Sequence, residues 1–398
     1  MTQTPHTIVI GLGAMGSAAV YHLAKRRHPV LGIDQFRPPH PLGSTHGETR
    51  ITRHAIGEGE HYSPFAIRSH ELWREIERYT GRELLTLTGL LVISSPGGAA
   101  AMHVPGFLET TIAAARRYGV SHELLTATDI RRRYPALEVD SEEVGYFEPG
   151  AGYVRPEACV SAQLALAERY GAELHDGEKV LHVGQEGARV TVRTDHATYF
   201  ADRVILSAGP WLPELLGDGH VWPFSVTRQV LYWFAPKDSI EPFLPEHFPV
   251  FIWEPRRASE AFYGFPAIDG PGGGVKVASG AYGEATTPET VERQVDERSM
   301  RRMYETLVAP CLPGLSGRCL KALTCLYTVT PDAGFVIDRH PEYDRVLIVS
   351  PCSGHGFKHS TALGEAVAEL VTEGRSRLDL SPFRIGRFGS APAPGVAS

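Results

Sequence analysis

The chain has 398 residues and a net charge of −7, with 42% hydrophobic and 21% charged residues, which is ordinary for a globular protein long enough to form two domains. The negative charge gives no support for binding to nucleic acid or to an anionic membrane surface, and no apolar run is long enough to cross a bilayer. The N-terminus leads directly into a strand pattern, without a charged segment followed by an apolar one, so the sequence predicts a cytoplasmic protein with no secretory signal.

The first elements follow a βαβ pattern. Thr7 to Ile10 reads as a buried strand, about Ser17 to Arg27 as a helix, and Val30 to Asp34 as a second strand. A polar loop rich in Pro and Gly follows from Arg37 to Thr49. The pair Ser63-Pro64 then predicts the start of a helix, with the serine as its N-cap.

Short apolar runs indicate the later strands, and one more helix closes the chain. The predicted strands are Leu90 to Ile93, Val190 to Thr194, Arg203 to Leu206, Val230 to Phe234, Val275 to Ala278 and Val346 to Val349. The helix is predicted over Ser360 to Thr372, with Gly374 as its C-cap. The order of these signals predicts an α/β fold in two domains.

The five cysteines are isolated in sequence and form no CxxC pair. Their spacing predicts neither a disulfide framework nor a structural zinc site, and we expect no bound metal. An odd number of isolated cysteines is typical of a reducing compartment. One of them could still take part in chemistry.

The segment Gly11-Leu12-Gly13-Ala14-Met15-Gly16 lies between a predicted strand and a predicted helix. In dinucleotide-binding folds such glycines permit a tight turn, a close approach to a pyrophosphate and close packing of helix on strand. The helix N-terminus supplies N–H donors for the phosphates. Asp34 follows at the spacing of a carboxylate that binds the adenosine ribose. These features together predict a dinucleotide site.

The glycine motif does not choose between FAD and NAD, so a nicotinamide-dependent hydroxyacid dehydrogenase stays an alternative. Two later segments favour FAD. Arg203 to Gly209 looks like the glycine-ended strand that returns beneath the cofactor in flavoproteins, and Cys352 to Lys358 looks like a second loop facing the cofactor. A flavin-binding protein without catalysis is a further alternative.

Several segments resemble one family, that of monomeric sarcosine oxidase and N-methyltryptophan oxidase, within the glycine/D-amino-acid oxidase superfamily. They are Pro38 to Arg50 continuing through Arg53 to Gly59, Tyr263 to Pro266, Cys325 to Tyr327, Phe335 to Asp338 and Ser353 to Lys358. The resemblance implies a Rossmann-like FAD-binding domain of the glutathione-reductase type and a second, mixed-sheet substrate domain. It also implies an amino-acid substrate, O₂ as the second substrate, and a monomer.

The expected domains are discontinuous. The FAD-binding domain would take residues 1–85, 150–220 and 321–390, and the substrate domain residues 86–149 and 221–320. Residues 391–398 are rich in Pro, Ala and Gly and are expected to form a tail without fixed structure.

The resemblance assigns roles to individual residues. Cys325 matches the cysteine that binds the flavin 8α carbon as a thioether. Arg53 and Lys358 match the cations that bind the substrate carboxylate, and Lys276 matches the lysine that activates oxygen. The expected catalytic residues are Lys276, Arg50, Arg53, Lys358, Tyr327 and Tyr263. The expected cofactor-binding residues are Gly11, Gly13, Ala14, Met15, Gly16, Asp34, Gln35, Gly43, Ser44, His46, Thr49, Arg50, Val180, Ala208, Gly209, Cys325, Gly354, His355, Gly356, Phe357 and Lys358.

The implied reaction is oxidation of a secondary amino acid, either N-methylated or cyclic. A hydride equivalent would pass from a carbon beside nitrogen to the flavin, the imine would hydrolyse, and oxygen would be converted to hydrogen peroxide. The flavin carries the redox chemistry, while the protein supplies orientation and charge.

The sequence departs from the family pattern at the expected substrate pocket. Gly280 stands where the family has a histidine, and Ile252 stands where sarcosine oxidase has a methionine, with Trp253 beside it. Loss of an imidazole from the pocket wall predicts room for a larger side chain or ring, so we expect a substrate bulkier than sarcosine.

Overall fold

The computed structural model describes residues 6–95, 102, 104–217 and 219–389; the tail expected at residues 391–398 lies outside this part of the chain. The described strands are β1 (Thr7–Ile10), β2 (Val30–Asp34), β3 (Arg50–Thr52), β4 (Leu85–Leu87), β5 (Leu90–Ser94), β6 (Glu123–Thr126), β7 (Val144–Glu148), β8 (Gly152–Val154), β9 (Glu173–Asp176), β10 (Val180–Glu186), β11 (Arg189–Thr194), β12 (Thr198–Ala201), β13 (Arg203–Leu206), β14 (Ser225–Pro236), β15 (Val250–Glu254), β16 (Phe262–Phe265), β17 (Val275–Ser279), β18 (Leu315–Val329), β19 (Val336–Arg339) and β20 (Val346–Ser350).

The described helices are α1 (Ala14–Lys25), α2 (Ser63–Thr80), α3 (Phe107–Tyr118), α4 (Ala127–Arg133), α5 (Pro156–Arg169), α6 (Leu212–Leu216), α7 (Glu297–Met303), α8 (Ala309–Cys311) and α9 (Ser360–Glu373). A π-helical turn, Tyr304–Val308, joins α7 to α8. Within the described ranges, no helix combines the length and apolar character needed to cross a membrane.

A six-stranded sheet has the order β19-β20-β13-β1-β2-β9. Its strands run parallel except β19, which is antiparallel to β20. Side chains alternate between its faces, as the two-residue period of a strand requires. Val9 packs on the side covered by α1, α2, α5 and α9. Ile8 and Ile10 pack on the other side, against the antiparallel meander of β10, β11 and β12.

The β1-turn-α1 unit begins its helix three residues earlier than the sequence predicts. Helix α1 starts at Ala14 rather than near Ser17, with Gly13 at the N-cap position. The helix therefore includes part of the glycine motif, and its first free N–H groups lie directly at the turn. The sequence pattern missed this start because its glycines lack the side chains that mark helical periodicity.

The predicted N-cap at Ser63 is wrong, because the chain already turns before this residue. A 3₁₀ turn over Glu60–Tyr62 leads into α2, which begins at Ser63 with Pro64 in its first turn. The Ser63 hydroxyl instead accepts a hydrogen bond from the N–H of Ile56 at 3.3 Å. The C-cap prediction is confirmed: Gly374 has φ 75° and ends α9 in the left-handed region.

An eight-stranded mixed sheet has the order β18-β14-β17-β16-β15-β5-β7-β6. Only the β5–β15 pair is parallel. One face packs against α4 and the segment from α7 to α8. The opposite face is covered at one end by α3 and elsewhere carries a smaller apolar cluster of Leu231, Trp233, Ala278 and Cys325. This arrangement confirms the predicted second layer with a mixed sheet.

The predicted boundary at residue 321 falls inside β18, a 15-residue strand. Its residues up to Val329 pair with β14 in the eight-stranded sheet. The sequence pattern predicts no strand here, because polar residues alternate along the exposed part of this segment. The first part of the predicted segment 321–390 thus belongs to the mixed sheet, and the remaining domain boundaries stay predictions.

Candidate active site

A large cleft opens at the carboxyl ends of β1, β2, β13 and β20. The space between its walls is about 1570 Å³, including the open solvent at its mouth. Ligands of open α/β sheets bind at this edge. Many expected cofactor residues line it: Gly11, Gly13, Ala14, Met15, Asp34, Gln35, Gly43, Ser44, Arg50, Val180, Ala208, Gly209, Gly354, Gly356 and Phe357.

The glycine turn at the floor of the cleft has a steric reason at two positions. Gly11 has φ +86°, and a Cβ there would lie 2.6 Å from the carbonyl oxygen of Ser207. A Cβ at Gly16 would lie 1.7 Å from the carbonyl oxygen of Gly11. Gly16 therefore serves helix packing and does not itself line the cleft. The first turn of α1 contains no acidic residue, and its N-cap residue Gly13 makes no side-chain cap. The N–H of Ala14 donates to the Thr45 hydroxyl at 3.3 Å, and the N–H groups that follow it suit an anion.

Asp34 ends β2 at the rim of this turn and is buried. Its Oδ2 accepts a hydrogen bond from the N–H of Leu12 at 2.7 Å, and its Oδ1 accepts one from the N–H of Phe36 at 2.8 Å. Burial raises the pKa of the Asp34 carboxyl, while these two backbone donors oppose the rise. Each oxygen keeps a further lone pair for a hydroxyl donor.

A loop from Gly43 to Arg50 crosses the far end of the cleft and is held from two sides. The Glu157 carboxylate accepts hydrogen bonds from the N–H groups of Gly47 and Glu48, at 2.7 and 3.1 Å. From the other side, the Lys276 ammonium donates to the carbonyl oxygens of Gly47 and Thr49, at 2.7 and 2.8 Å, and to the Thr49 hydroxyl at 3.1 Å. These bonds fix the backbone that carries Arg50.

Lys276 points toward the cleft side of the mixed sheet. Its neighbours Val275 and Val277 pack on the helix-covered face, so the alternation of β17 sends Lys276 to the other face. It is 2% exposed, and its Nζ lies 4.5 Å from the centre of the Phe265 ring. Burial lowers the pKa of Lys276 well below its ordinary value, and the positive charge of Arg50 adds to this effect.

Two side chains of this loop carry buried polar atoms that have no hydrogen-bond partner within the described ranges. They are the hydroxyl of Ser44 and both ring nitrogens of His46. Burial, with Arg50 and Lys276 nearby, lowers the pKa of His46 to about 3, so its ring is neutral at physiological pH. Unpaired buried groups at a cleft suit a polar ligand.

Cys325 is fully buried on β18 behind the same loop. Its Sγ lies 3.7 Å from Nη2 of Arg50, 3.7 Å from the carbonyl oxygen of Ser44 and 4.0 Å from that of Gly43. All three of these residues line the cleft. Burial raises the pKa of the Cys325 thiol, and the charges of Arg50 and Lys276 oppose the rise.

A smaller cavity, of about 640 Å³ including its mouth, adjoins the cleft. The two share four lining residues, Arg50, Tyr327, Gly354 and Phe357. Tyr263 also lines the cavity, and its hydroxyl lies 3.0 Å from that of Tyr327. Burial raises the pKa of both phenols, so both are neutral hydrogen-bonding groups at the boundary between the two spaces.

Arg53 and Lys358, the two cations expected to bind the substrate carboxylate, already share a carboxylate of the protein, that of Glu58. Arg53 is 0% exposed, and its Nη2 donates to Oε2 of Glu58 at 2.6 Å. The other oxygen of Glu58 lies 3.8 Å from Nζ of Lys358, which donates to the carbonyl oxygen of His355 at 3.0 Å. Lys358, Glu58 and His355 line the cavity, whereas Arg53 lies behind Glu58.

Several expected site residues thus line neither space but support residues that do: Gly16, His46, Thr49, Arg53, Lys276 and Cys325. Sequence reasoning gave no role to several cavity residues, among them Glu58, Met102 and Tyr282. For Glu58, the available signal was a carboxylate five residues after Arg53, an arginine expected to bind the substrate. The sequence carries no local sign for the other two.

The expected opening at Gly280 is wrong. A Cβ built on Gly280 would lie 2.8 Å from Sδ of Met102, so the methionine occupies the space that an imidazole would take. Trp253 also does not shape the cavity, because it packs on the helix-covered face of the sheet and its Nε1 donates to Oε1 of Glu143 at 3.2 Å. Ile252 does line the cavity.

This cleft and cavity occur in a chain whose residues 6–370 match the DAO family, described as FAD dependent oxidoreductase. The protein belongs to that family. It is 43% identical to the monomeric sarcosine oxidase of Streptomyces avermitilis, over 99% of this chain and all of that protein. It is 34% identical to the N-methyl-L-tryptophan oxidase of Yersinia pestis, over 96% of this chain and 98% of that protein. The alternative of a nicotinamide-dependent dehydrogenase receives no support.

Solved structures share the fold. NikD, an amino acid oxidase of nikkomycin biosynthesis, superposes with a TM-score of 0.82 at 24% identity and covers 96% of this chain and 98% of its own. The L-proline dehydrogenase of P. horikoshii has a TM-score of 0.80 at 22% identity, covering 98% of each chain. At such identities the likeness concerns the fold.

The residues present fit FAD. The cleft offers a helix N-terminus beside glycines for a pyrophosphate, a buried carboxylate for a ribose, and an unpaired hydroxyl on Ser44 at the far end. By contrast, no group of three or more His, Cys, Asp or Glu side chains within the described ranges is arranged to hold a metal ion.

Proposed function

We propose that this protein is an FAD-dependent oxidase of a secondary amino acid, either N-methylated or cyclic, that produces an imine and hydrogen peroxide. The observation that carries the proposal is the small cavity beside the cofactor cleft. Its wall combines a buried lysine, Lys358, with the paired phenols of Tyr263 and Tyr327. A cation for a carboxylate and an apolar, aromatic space for the amine end suit a small amino acid.

In this proposal the glycine turn and the N-terminus of α1 would hold the pyrophosphate of FAD, and Asp34 and Gln35 would hold its adenosine. Ser44, His46, Arg50 and the loop Gly354–Phe357 would hold the ring. Bound there, FAD supplies two-electron oxidation of the amine and passes the electrons to O₂.

The cation pair positions the substrate carboxylate. Glu58 already joins Arg53 and Lys358, so the incoming carboxylate replaces Glu58 as the partner of at least one cation. An arginine fork binds a carboxylate through two parallel hydrogen bonds, whereas lysine acts as a point charge. Arg53 and Lys358 bring two positive charges to the site, and Glu58 brings one negative charge. A ligand carboxylate supplies the second negative charge, whereas a simple amine does not. The site therefore selects amino acids over simple amines.

The remaining groups of the cavity favour a substrate amine that loses its proton on binding. Within the described lining, Glu58 is the only carboxylate, and the two cations hold it. The imidazole of His355 has its Nε2 3.0 Å from the carbonyl oxygen of Ala333. No lining group is therefore placed as a strong base, and the phenols of Tyr263 and Tyr327 serve to shape the site.

Two further roles complete the proposal. Cys325 would hold the flavin through a thioether to its 8α carbon, in which the new S–C bond replaces the thiol S–H bond and one methyl C–H bond, and the two electrons released pass through the flavin to O₂. The closeness of its sulfur to the cleft-lining residues Ser44 and Arg50 supports this role. Lys276 provides a fixed cation for the reaction with oxygen, because a preorganised charge stabilises developing superoxide.

Measuring peroxide release and oxygen uptake tests the proposal. N-methylated and cyclic amino acids should release one peroxide for each oxygen consumed. The matched amines without a carboxylate, such as dimethylamine for sarcosine, should react at least about thirtyfold less efficiently, since a desolvated charge pair is worth about 2–5 kcal/mol. Equal kcat/KM with and without the carboxylate would refute the role of Arg53 and Lys358, and flavin bands without any peroxide would indicate a binding protein.

A further inference from the structure

Met102 and Gly280 form one end of the small cavity. Both line it, and the sulfur of Met102 lies where a side chain on Gly280 would begin: a Cβ there would be 2.8 Å from Sδ. The carbonyl oxygen of Ala261 lies 3.2 Å from the same point. Glycine at position 280 therefore makes room for the thioether rather than for the ligand.

The backbone on each side of this contact is anchored. The N–H of Met102 donates to Oε1 of Glu254 at 2.9 Å, and the other oxygen of Glu254 accepts from the Ser94 hydroxyl at 2.7 Å. The N–H of Gly280 donates to the carbonyl oxygen of Ala261 at 2.7 Å. Both backbones are tied to the mixed sheet, so the Met102 side chain is the adjustable part of this wall.

The size of a substrate is limited at the end of the cavity that Met102 and Gly280 form, because the other walls have different neighbours. Lys358 and Glu58 occupy the cationic end, and Tyr327 and Arg50 border the cofactor cleft. Met102 packs with the apolar cluster that contains Ile252 and Phe265. An unbranched thioether can fill such a space and is cheap to rearrange compared with an aromatic or β-branched side chain.

We propose that Met102 is a specificity-determining residue that limits the side chain of the amino-acid substrate. The inference rests on the proposed oxidation of secondary amino acids and adds a size limit to it. Met102 restores the wall that Gly280 lacks, so the protein prefers small N-methyl amino acids over those with bulky side chains. The preference is set by a residue far away in sequence from position 280.

Exchanging Met102 tests this role through a ratio of substrates. Met102→Ala should raise kcat/KM for N-methyl-leucine relative to sarcosine at least about tenfold, since one methylene in an apolar pocket changes discrimination by about 10–200-fold. Met102→Leu keeps the volume and should shift the ratio much less. Met300→Ala is the matched control, because Met300 lies on α7 away from the cavity.

A double variant tests the contact itself. Gly280→Ala should weaken substrate binding, because its new methyl group collides with the Met102 thioether. Adding Met102→Ala should recover most of the loss, since the colliding sulfur is gone. Independent, additive effects of the two substitutions would show that the side chains do not share this space and would overturn the proposal.

Calorimetric binding of carboxylates separates this proposal from the proposed function. The probes are acetate and 4-methylpentanoate, which carries the larger group. If no secondary amino acid is oxidised but Met102→Ala selectively strengthens binding of 4-methylpentanoate at least about tenfold, the proposed function fails and the size limit stands. If secondary amino acids are oxidised but neither the substrate ratio nor the carboxylate ratio changes, the role of Met102 is refuted.

Discussion

The sulfur of Cys325 lies within 4.0 Å of backbone atoms that border the cofactor cleft. If it forms the thioether, acid-precipitated protein should stay yellow, whereas Cys325→Ala should release its flavin into the supernatant. Cys352→Ala is the matched control, because Cys352 itself lines the cleft and should leave the pellet yellow. A colourless pellet from the unmodified protein would refute covalent attachment.

Lys276 is proposed to serve the oxygen reaction, and in the structure it also holds the Gly47–Thr49 backbone. Lys276→Met should slow the reaction with oxygen by about 10²–10³, the usual cost of a lost preorganised charge, and should slow anaerobic reduction by substrate much less. Stopped-flow absorbance measures both steps.

The matched control for this prediction is Lys321→Met. Lys321 pairs with Glu48 and lies over the Trp233 ring at 4.6 Å, but it is partly exposed, so its loss should leave the oxygen reaction nearly unchanged. Equal damage to both half-reactions in Lys276→Met would show that this lysine mainly holds the Gly47–Thr49 backbone.

Lys358 should make carboxylate binding depend on pH. Burial lowers its pKa to about 8, and Glu58 opposes this shift. Lysine is charged below its pKa, so affinity for acetate should be high below pH 8 and should fall as the pH rises through this value. Calorimetric titrations from about pH 6.5 to about 9.5 measure it. Lys358→Met should bind more weakly and lose the transition near pH 8; a transition that persists in that variant would assign it to another group.

Among the elements, the contact between α1 and α9 depends on one glycine. A Cβ on Gly364 would lie 2.5 Å from Cβ and 2.6 Å from the carbonyl carbon of Ala18. Alanine would gain about 1 kcal/mol of helix propensity, but overpacking against a helix backbone costs about 1–3 kcal/mol. Gly364→Ala should therefore lower the unfolding temperature. Gly386→Ala, which meets nothing within 4 Å, should not, and equal unfolding temperatures for the two variants would refute the packing argument.

The sequence predicted most elements near the cofactor cleft, because their patterns are local. The strands Thr7–Ile10, Val30–Asp34 and Arg203–Leu206 have the predicted bounds, since buried parallel strands are short apolar runs between turn residues. The mixed sheet was predicted less completely. Strand β18 has polar residues along half of its length, and only its pairing with β14 shows that it is a strand.

For the molecule as a whole, the cofactor cleft joins segments from both ends of the chain. FAD should therefore stabilise the flavin-free Cys325→Ala protein, by about 2.7 kcal/mol at a hundredfold excess over its Kd. FMN lacks the adenylate half that the glycine turn and Asp34 would hold, so it should raise the unfolding temperature less. Equal shifts for FAD and FMN in calorimetry would contradict the placement of the adenosine.

The sequence by itself determined the class of the protein. The glycine turn, the acidic residue after the second strand and the later segments predicted an FAD-dependent oxidoreductase with an α/β fold, and the family match confirms both. These signals survive in sequence because a turn, a helix N-terminus and a strand end act over a few neighbouring residues. The roles of the individual site residues stay predictions.

The tertiary structure alone decided how the small cavity is built. It brought Glu58 between Arg53 and Lys358, placed Met102 in the space beside Gly280, and turned Trp253 away from the cavity. Each of these outcomes depends on which face of a strand points inward and on which distant segment packs there. Because interiors are close-packed, a gap left by one residue is filled by another that is distant in sequence, and the size of a pocket follows from packing rather than from any local pattern.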